Sequence, residues 1–90
     1  MVKIQNYING ELLPPNSGEY INNICPATGE VYSLIPDSDV HDVDMAVEAA
    51  QESFKSWSTM PKQERSDILM HLANAINDQS DELVMAESRD

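Results

Sequence analysis

Hydrophobic residues change their spacing at Pro36-Asp37-Ser38-Asp39, and that change limits the folds open to this chain. Before it, short runs of β-forming residues lie between turn residues. After it, apolar residues recur every three or four positions, the period of a helix. Ninety residues have room for one small domain. The expected organisation is one unit over residues 1–90, with β-hairpins in 1–36 and helices in 37–90. A unit of this size buries only roughly 60–65% of the surface its unfolded chain exposes, so any core is thin.

The strand half reads as two hairpins. Residues 4–8 and 11–13 flank Asn9-Gly10, a pair suited to a type I′ turn because both positions accept positive φ. Pro14-Pro15-Asn16-Ser17-Gly18 is a stiff polar connector. Residues 19–24 and 30–35 form the second pair, turned by Pro26-Ala27-Thr28-Gly29. Two hairpins do not hold themselves together in water without a packed face.

The helical half opens at Ser38 or Asp39, either of which suits an N-cap, with Asp42 and Asp44 near the positive end of the helix. Val43, Ala46, Val47, Ala50, Phe54 and Trp57 form one apolar stripe, which predicts a helix over 40–56. Ser58-Thr59-Met60 breaks it, and Pro61 suits the first turn of a second helix. That helix is expected to bury Ile68, Leu69, Leu72, Ala75 and Ile76. A third helix, starting at Gln79 or Ser80, carries Leu83, Val84 and Ala86. Glu87-Ser88-Arg89-Asp90 reads as helix with no stop signal, so a truncated chain is expected.

Sixteen Asp and Glu face five Lys and Arg, giving a net charge of −11. Nucleic acid and anionic membrane surfaces both demand a basic face, so neither is an expected partner. No apolar run is long enough to cross a bilayer, and the first residues lack the apolar stretch of a signal peptide. Cys25 is alone, which excludes an internal disulfide framework and makes the cytoplasm the default setting.

No residue cluster carries visible chemistry. A calcium loop started at Asp37 would place His41 and Asp42 where an oxygen ligand and a glycine belong. His41 and His71 have no cysteine pair to complete a zinc site. Cys25 has no cationic neighbour in sequence to activate it and reads as a small packed or edge residue. Gly10, Gly18 and Gly29 form no phosphate-binding loop. Phe54 and Trp57 could form a binding patch, but at helical spacing they read as core. By this reading the chain has no catalytic and no cofactor-binding residues.

Several phrases recur in order: Asn6-Tyr7-Ile8-Asn9-Gly10-Glu11, Pro26-Ala27-Thr28-Gly29-Glu30-Val31, Asp42-Val43-Asp44-x-Ala46-Val47, Phe54-x-x-Trp57 and Gln63-Glu64-Arg65. Together they resemble the N-terminal segment of the aldehyde dehydrogenase superfamily across nearly all ninety residues. In wording they are closest to the 2-aminomuconic and 2-hydroxymuconic semialdehyde dehydrogenase branch. The resemblance implies an α+β fragment: two hairpins and three helices from the N-terminal part of a Rossmann-like α/β cofactor domain. It implies a parent enzyme that oxidises an aldehyde to a carboxylate with NAD or NADP, and that forms homo-oligomers. It also implies that the catalytic Cys and Glu lie outside these residues. Cys25 stands where the family usually has Asn, so it does not match the nucleophile.

The resemblance further implies a monovalent cation held by the backbone carbonyls of Asn23 or Ile24 and the carboxylate of Asp90. No cofactor is expected to bind these ninety residues alone, and the chain is expected to be inactive and to self-associate through exposed apolar faces. The alternative is a small acidic interaction module without catalysis, binding through Phe54 and Trp57 or through a hairpin edge.

Overall fold

The computed structural model describes residues 1–90. Five strands precede three helices: β1 (Val2–Lys3), β2 (Asn6–Ile8), β3 (Glu11–Leu13), β4 (Tyr20–Ile24), β5 (Val31–Pro36), α1 (Val40–Trp57), α2 (Lys62–Asp78) and α3 (Ser80–Arg89). The hairpin β2-β3 closes through Asn9 at φ 53° and Gly10 at φ 79°. Both angles match the turn that Asn-Gly favours. β4 and β5 pair antiparallel, turned at 25–29, where the Cys25 carbonyl accepts the amides of Thr28 (3.3 Å) and Gly29 (2.8 Å).

β1 is an addition to the two expected hairpins. It pairs parallel with β5, making a three-stranded sheet in the order β1-β5-β4. Ile4, expected in the first hairpin, continues this pairing by donating its amide to the Leu34 carbonyl at 2.8 Å. Gln5 leaves the hairpin too, and its side-chain oxygen accepts the Tyr20 hydroxyl at 2.7 Å. The Lys3 ammonium stands 4.9 Å from the Tyr20 ring centre, a cation–π contact that helps hold β1 beside the sheet.

Asp39 caps α1, accepting the amides of His41 and Asp42 on one carboxylate oxygen. Asp42 returns the bond, accepting the Asp39 amide at 2.9 Å, which completes a reciprocal capping box. The same Asp42 carboxylate accepts the Asn16 amide at 3.0 and 3.2 Å, and Asp39 accepts the Asn16 side-chain amide at 3.0 Å. This bond first, and the helix amides after it, hold the Asp39 carboxyl below its ordinary value of 3.8. Nearby, Asn6 and Ser38 exchange two bonds, and Ser17 donates to the Asp37 carbonyl. Strand half and helix half are thus joined by polar groups.

Pro61 sits at the N-cap of α2, one residue before the first turn in which it was expected, and makes no side-chain cap. Gln79 alone separates α2 from α3, donating its amide to Ala75 and Ile76 carbonyls as one helix ends.

The expected helix core does not form. No hydrophobic residue is buried; the polar residues Ser33 and Asp42 retain 3% and 6% of their exposure. Ile68, Leu69, Leu72 and Ile76 lie exposed on α2, and Phe54 on α1 is 64% exposed, while Trp57 is half-buried. A helical period says which residues share a face; it does not supply the surface that covers them. The molecule is a slab of 47 × 34 × 16 Å with a radius of gyration of 16.6 Å. A compact chain of this length would have about 12 Å.

Replacing Asp42 with alanine strands the Asn16 and Asp39 amides together. The local opening free energy should fall by about 2 kcal/mol, from the lost cap and the unpaired donors. Hydrogen exchange at those two amides reads the change, and unaltered protection would show that the carboxylate does not make the joint.

Candidate functional site

Besides the seam at Asp42, polar side chains from distant parts of the chain converge in an open groove of about 420 Å³ between the sheet and α3. Ile4, Asn23, Tyr32 and Leu83 line it together with Glu87, Arg89 and Asp90. β4 supplies Asn23, β5 supplies Tyr32, and the end of α3 supplies the charges.

A break in register shapes the groove. Asn23 stands opposite Ser33, but the next residue, Ile24, stands opposite Val31, so Tyr32 is passed over. An extra residue of this kind bends the strand and re-aims its side chain. The Asn23 amide nitrogen consequently reaches the Tyr32 hydroxyl at 3.0 Å, Ser33 Oγ at 3.1 Å and Asp90 Oδ1 at 3.2 Å. The Tyr32 hydroxyl donates to the same Asp90 oxygen at 3.1 Å. The Arg89 guanidinium lies over the Tyr32 ring, 4.7 Å from its centre. Burial first, and then the hydrogen bond and charge of Asp90, raise the Tyr32 phenol above its ordinary 10.0.

Of the three residues expected to hold a monovalent cation, the structure brings Asn23 and Asp90 together, and Ile24 adjoins them without lining the groove. Asn23 meets Asp90 through its side-chain nitrogen, a donor. Oxygen for a cation would therefore come from the carboxylate and from main-chain carbonyls, as hard cations prefer. No three Asp, Glu, His or Cys groups converge on a point where a metal ion could sit. A single carboxylate beside neutral oxygens suits a monovalent ion better than a divalent one. Tyr32, Ser33 and Arg89 went unforeseen. Only the cross-strand register places the first two beside Asn23, and a bulge leaves no mark in hydrophobic spacing.

Cys25, next to the groove at the end of β4, differs from its expected isolation. The Thr28 hydroxyl first, and then the amides of Thr28 and Ala27, draw its thiol below the ordinary 9.0, with a smaller contribution from the Arg89 charge. No general base stands beside it.

The helix starts of these ninety residues carry acidic charge, the opposite of what a pyrophosphate requires. A pyrophosphate is bound by free helix N-terminal amides and positive charge. Here Asp39 occupies the α1 amides, Glu64 sits in the first turn of α2, and Asp81 and Glu82 sit in that of α3.

The sequence profile of the aldehyde dehydrogenase family matches residues 13–90. The chain is 43% identical over all its 90 residues to the 2-aminomuconic semialdehyde dehydrogenase of Mus musculus, covering 18% of that protein. It is 45% identical over 82 residues to malonate-semialdehyde dehydrogenase 1 of Oceanobacillus iheyensis, covering 16% of it and 89% of this chain. Among solved structures, PnpE in complex with nicotinamide adenine dinucleotide superposes with a TM-score of 0.91 at 35% identity, over 96% of this chain and 18% of that one. The chain thus spans less than a fifth of the length of these relatives.

Exchanging Asp90 for asparagine removes the carboxylate charge beside Tyr32. The phenol should then ionise at lower pH, nearer 10.0. A raised folded-state pKa stabilises the protonated form below the ordinary value and is lost as pH rises through the shifted one. The Asn23–Tyr32–Asp90 cluster should accordingly hold at neutral pH and open only in alkali. NMR titration of the Tyr32 ring measures both, and an identical midpoint in the variant would remove Asp90 from the cluster.

Proposed function

The chain belongs to the aldehyde dehydrogenase family, and from that premise we propose that it is an N-terminal segment of an NAD(P)-dependent enzyme oxidising an aldehyde to a carboxylate. The carrying observation is the profile match over residues 13–90, which coexists with coverage of only 18% of a matching relative. NAD in the PnpE complex, and the NAP complex of 3,6-anhydro-L-galactose dehydrogenase (TM-score 0.81, 27% identity), favour a nicotinamide cofactor for the parent activity. The sequence likeness to 2-aminomuconic semialdehyde dehydrogenases favours a semialdehyde as its substrate.

This segment would contribute scaffold, not the reacting centre. Hydride transfer to a nicotinamide needs the cofactor held against the reacting carbon. The lowered Cys25 thiol has no base beside it and stands next to a groove without a dinucleotide site. The proposed residue-level role is cation holding, by main-chain carbonyls at Asn23 or Ile24 with the Asp90 carboxylate. The order this would bring to the β4–α3 contact suits a structural ion.

The uncovered apolar faces of α1 and α2 support self-association of the chain by itself. The proposed setting is the cytoplasm, where a lone Cys25 stays reduced. No helix is long and apolar enough to cross a membrane.

The purified chain, mixed with NAD or NADP and a semialdehyde, should generate no reduced nicotinamide, and should sediment as species larger than a monomer. Turnover would overturn the scaffold reading; a discrete monomer would overturn the self-association. In a separate titration, potassium should shift the Tyr32 and Asn23 signals, and Asp90→Ala should abolish that shift. Signals indifferent to potassium would remove the cation role.

A further inference from the structure

We propose that Asn9 is a site of spontaneous deamidation, and that the product loosens the β2-β3 hairpin from α1. In this reaction the Gly10 amide nitrogen attacks the Asn9 side-chain carbonyl carbon. Ammonia leaves as a five-membered succinimide closes. Water then opens the ring at either carbonyl, leaving aspartate or isoaspartate.

Four features single out this asparagine. Its side chain makes no hydrogen bond, whereas those of Asn6, Asn16 and Asn23 are each held by partners. The attacking Gly10 amide donates no backbone hydrogen bond, so the nucleophile is free. Gly10 carries no Cβ, and nothing lies within 4 Å of where one would be. Both residues are exposed, in a turn outside any strand. Elsewhere these features do not coincide. Asn22 precedes Asn23 within β4, and Asn74 and Asn77 precede residues whose amides lie inside α2.

Ring closure requires the turn to flex. A two-stranded hairpin separate from the main sheet opens easily.

The site of the product matters as well. Asn9 lines a groove between the hairpin and α1 that also contains Glu11, Glu48 and Glu52. Deamidation replaces a neutral amide by a fourth carboxylate at a groove already lined by these three. Isoaspartate also lengthens the main chain by a methylene in the turn that sets the Tyr7–Leu12 register. Charge and geometry both push the hairpin off the helix.

Incubating the chain in mildly alkaline buffer at body temperature, followed by peptide mapping with isoaspartyl methyltransferase labelling, tests the proposal. The peptide bearing Asn9 should convert first, while those bearing Asn16, Asn22 and Asn23 remain amides. Asn9→Gln should remove the labelled product. Hydrogen exchange of the aged material should quicken at Tyr7–Leu12 and stay unchanged in β4 and β5. Conversion at another asparagine before Asn9, or aged protein with unaltered hairpin exchange, would each overturn the proposal.

Discussion

One buried carboxylate organises the molecule. Asp42 accepts two backbone amides, from Asn16 in the connector and from Asp39 at the helix start, and so fixes where the strands leave off and α1 begins. Asn16 to Asp39, Asn6 to Ser38 and Ser17 to Asp37 reinforce the same seam. Each bond contributes roughly 1 kcal/mol net, more where a charge takes part. Their value is directional: a carboxylate facing two amides tolerates little rotation. The seam therefore specifies an arrangement without supplying the apolar burial that normally sustains one.

That imbalance fits the membership in a family whose proteins are several times longer. Ile68, Leu69, Leu72 and Phe54 are arranged as a face before anything lies upon it. Such a face costs free energy in water and repays it when covered. The acidic charge has a related sense. Sixteen carboxylates spread over a thin body repel one another, and Lys55–Glu52 is the one ion pair present. A covering surface with fewer acids would relieve both strains together.

Much of the local structure was legible in the residues. Asn9-Gly10 declared its turn, Asp39 its cap, and the three-and-four spacing its helices, because each depends on neighbours in sequence. β1 was not legible: two residues carry no period, and Val2–Lys3 become a strand only by meeting Ser33 and Leu34. Tyr32 escaped for a similar reason, since its direction depends on a register break across the sheet. Asn23 and Asp90 were named through family likeness, and the fold brings them to bonding distance; their joining through an amide nitrogen was beyond what spacing could tell. Burial divides: the period alone puts the α2 stripe inside, while the resemblance leaves apolar faces exposed, as they are. The period identified the α2 stripe correctly as a stripe, but concealment depends on a second body.

A sheet of matter 16 Å through is a veneer, too thin to hide a large apolar side chain from both sides. In a body this thin, every residue belongs to one broad surface or the other. A face left to water tolerates many interchangeable residues, whereas a face that meets another body is held to one shape. Where a layer this thin is covered on one side, sequence drift should be lopsided, fast on the wet side and slow on the covered one, so that a record of tolerated changes would trace the outline of whatever covers it.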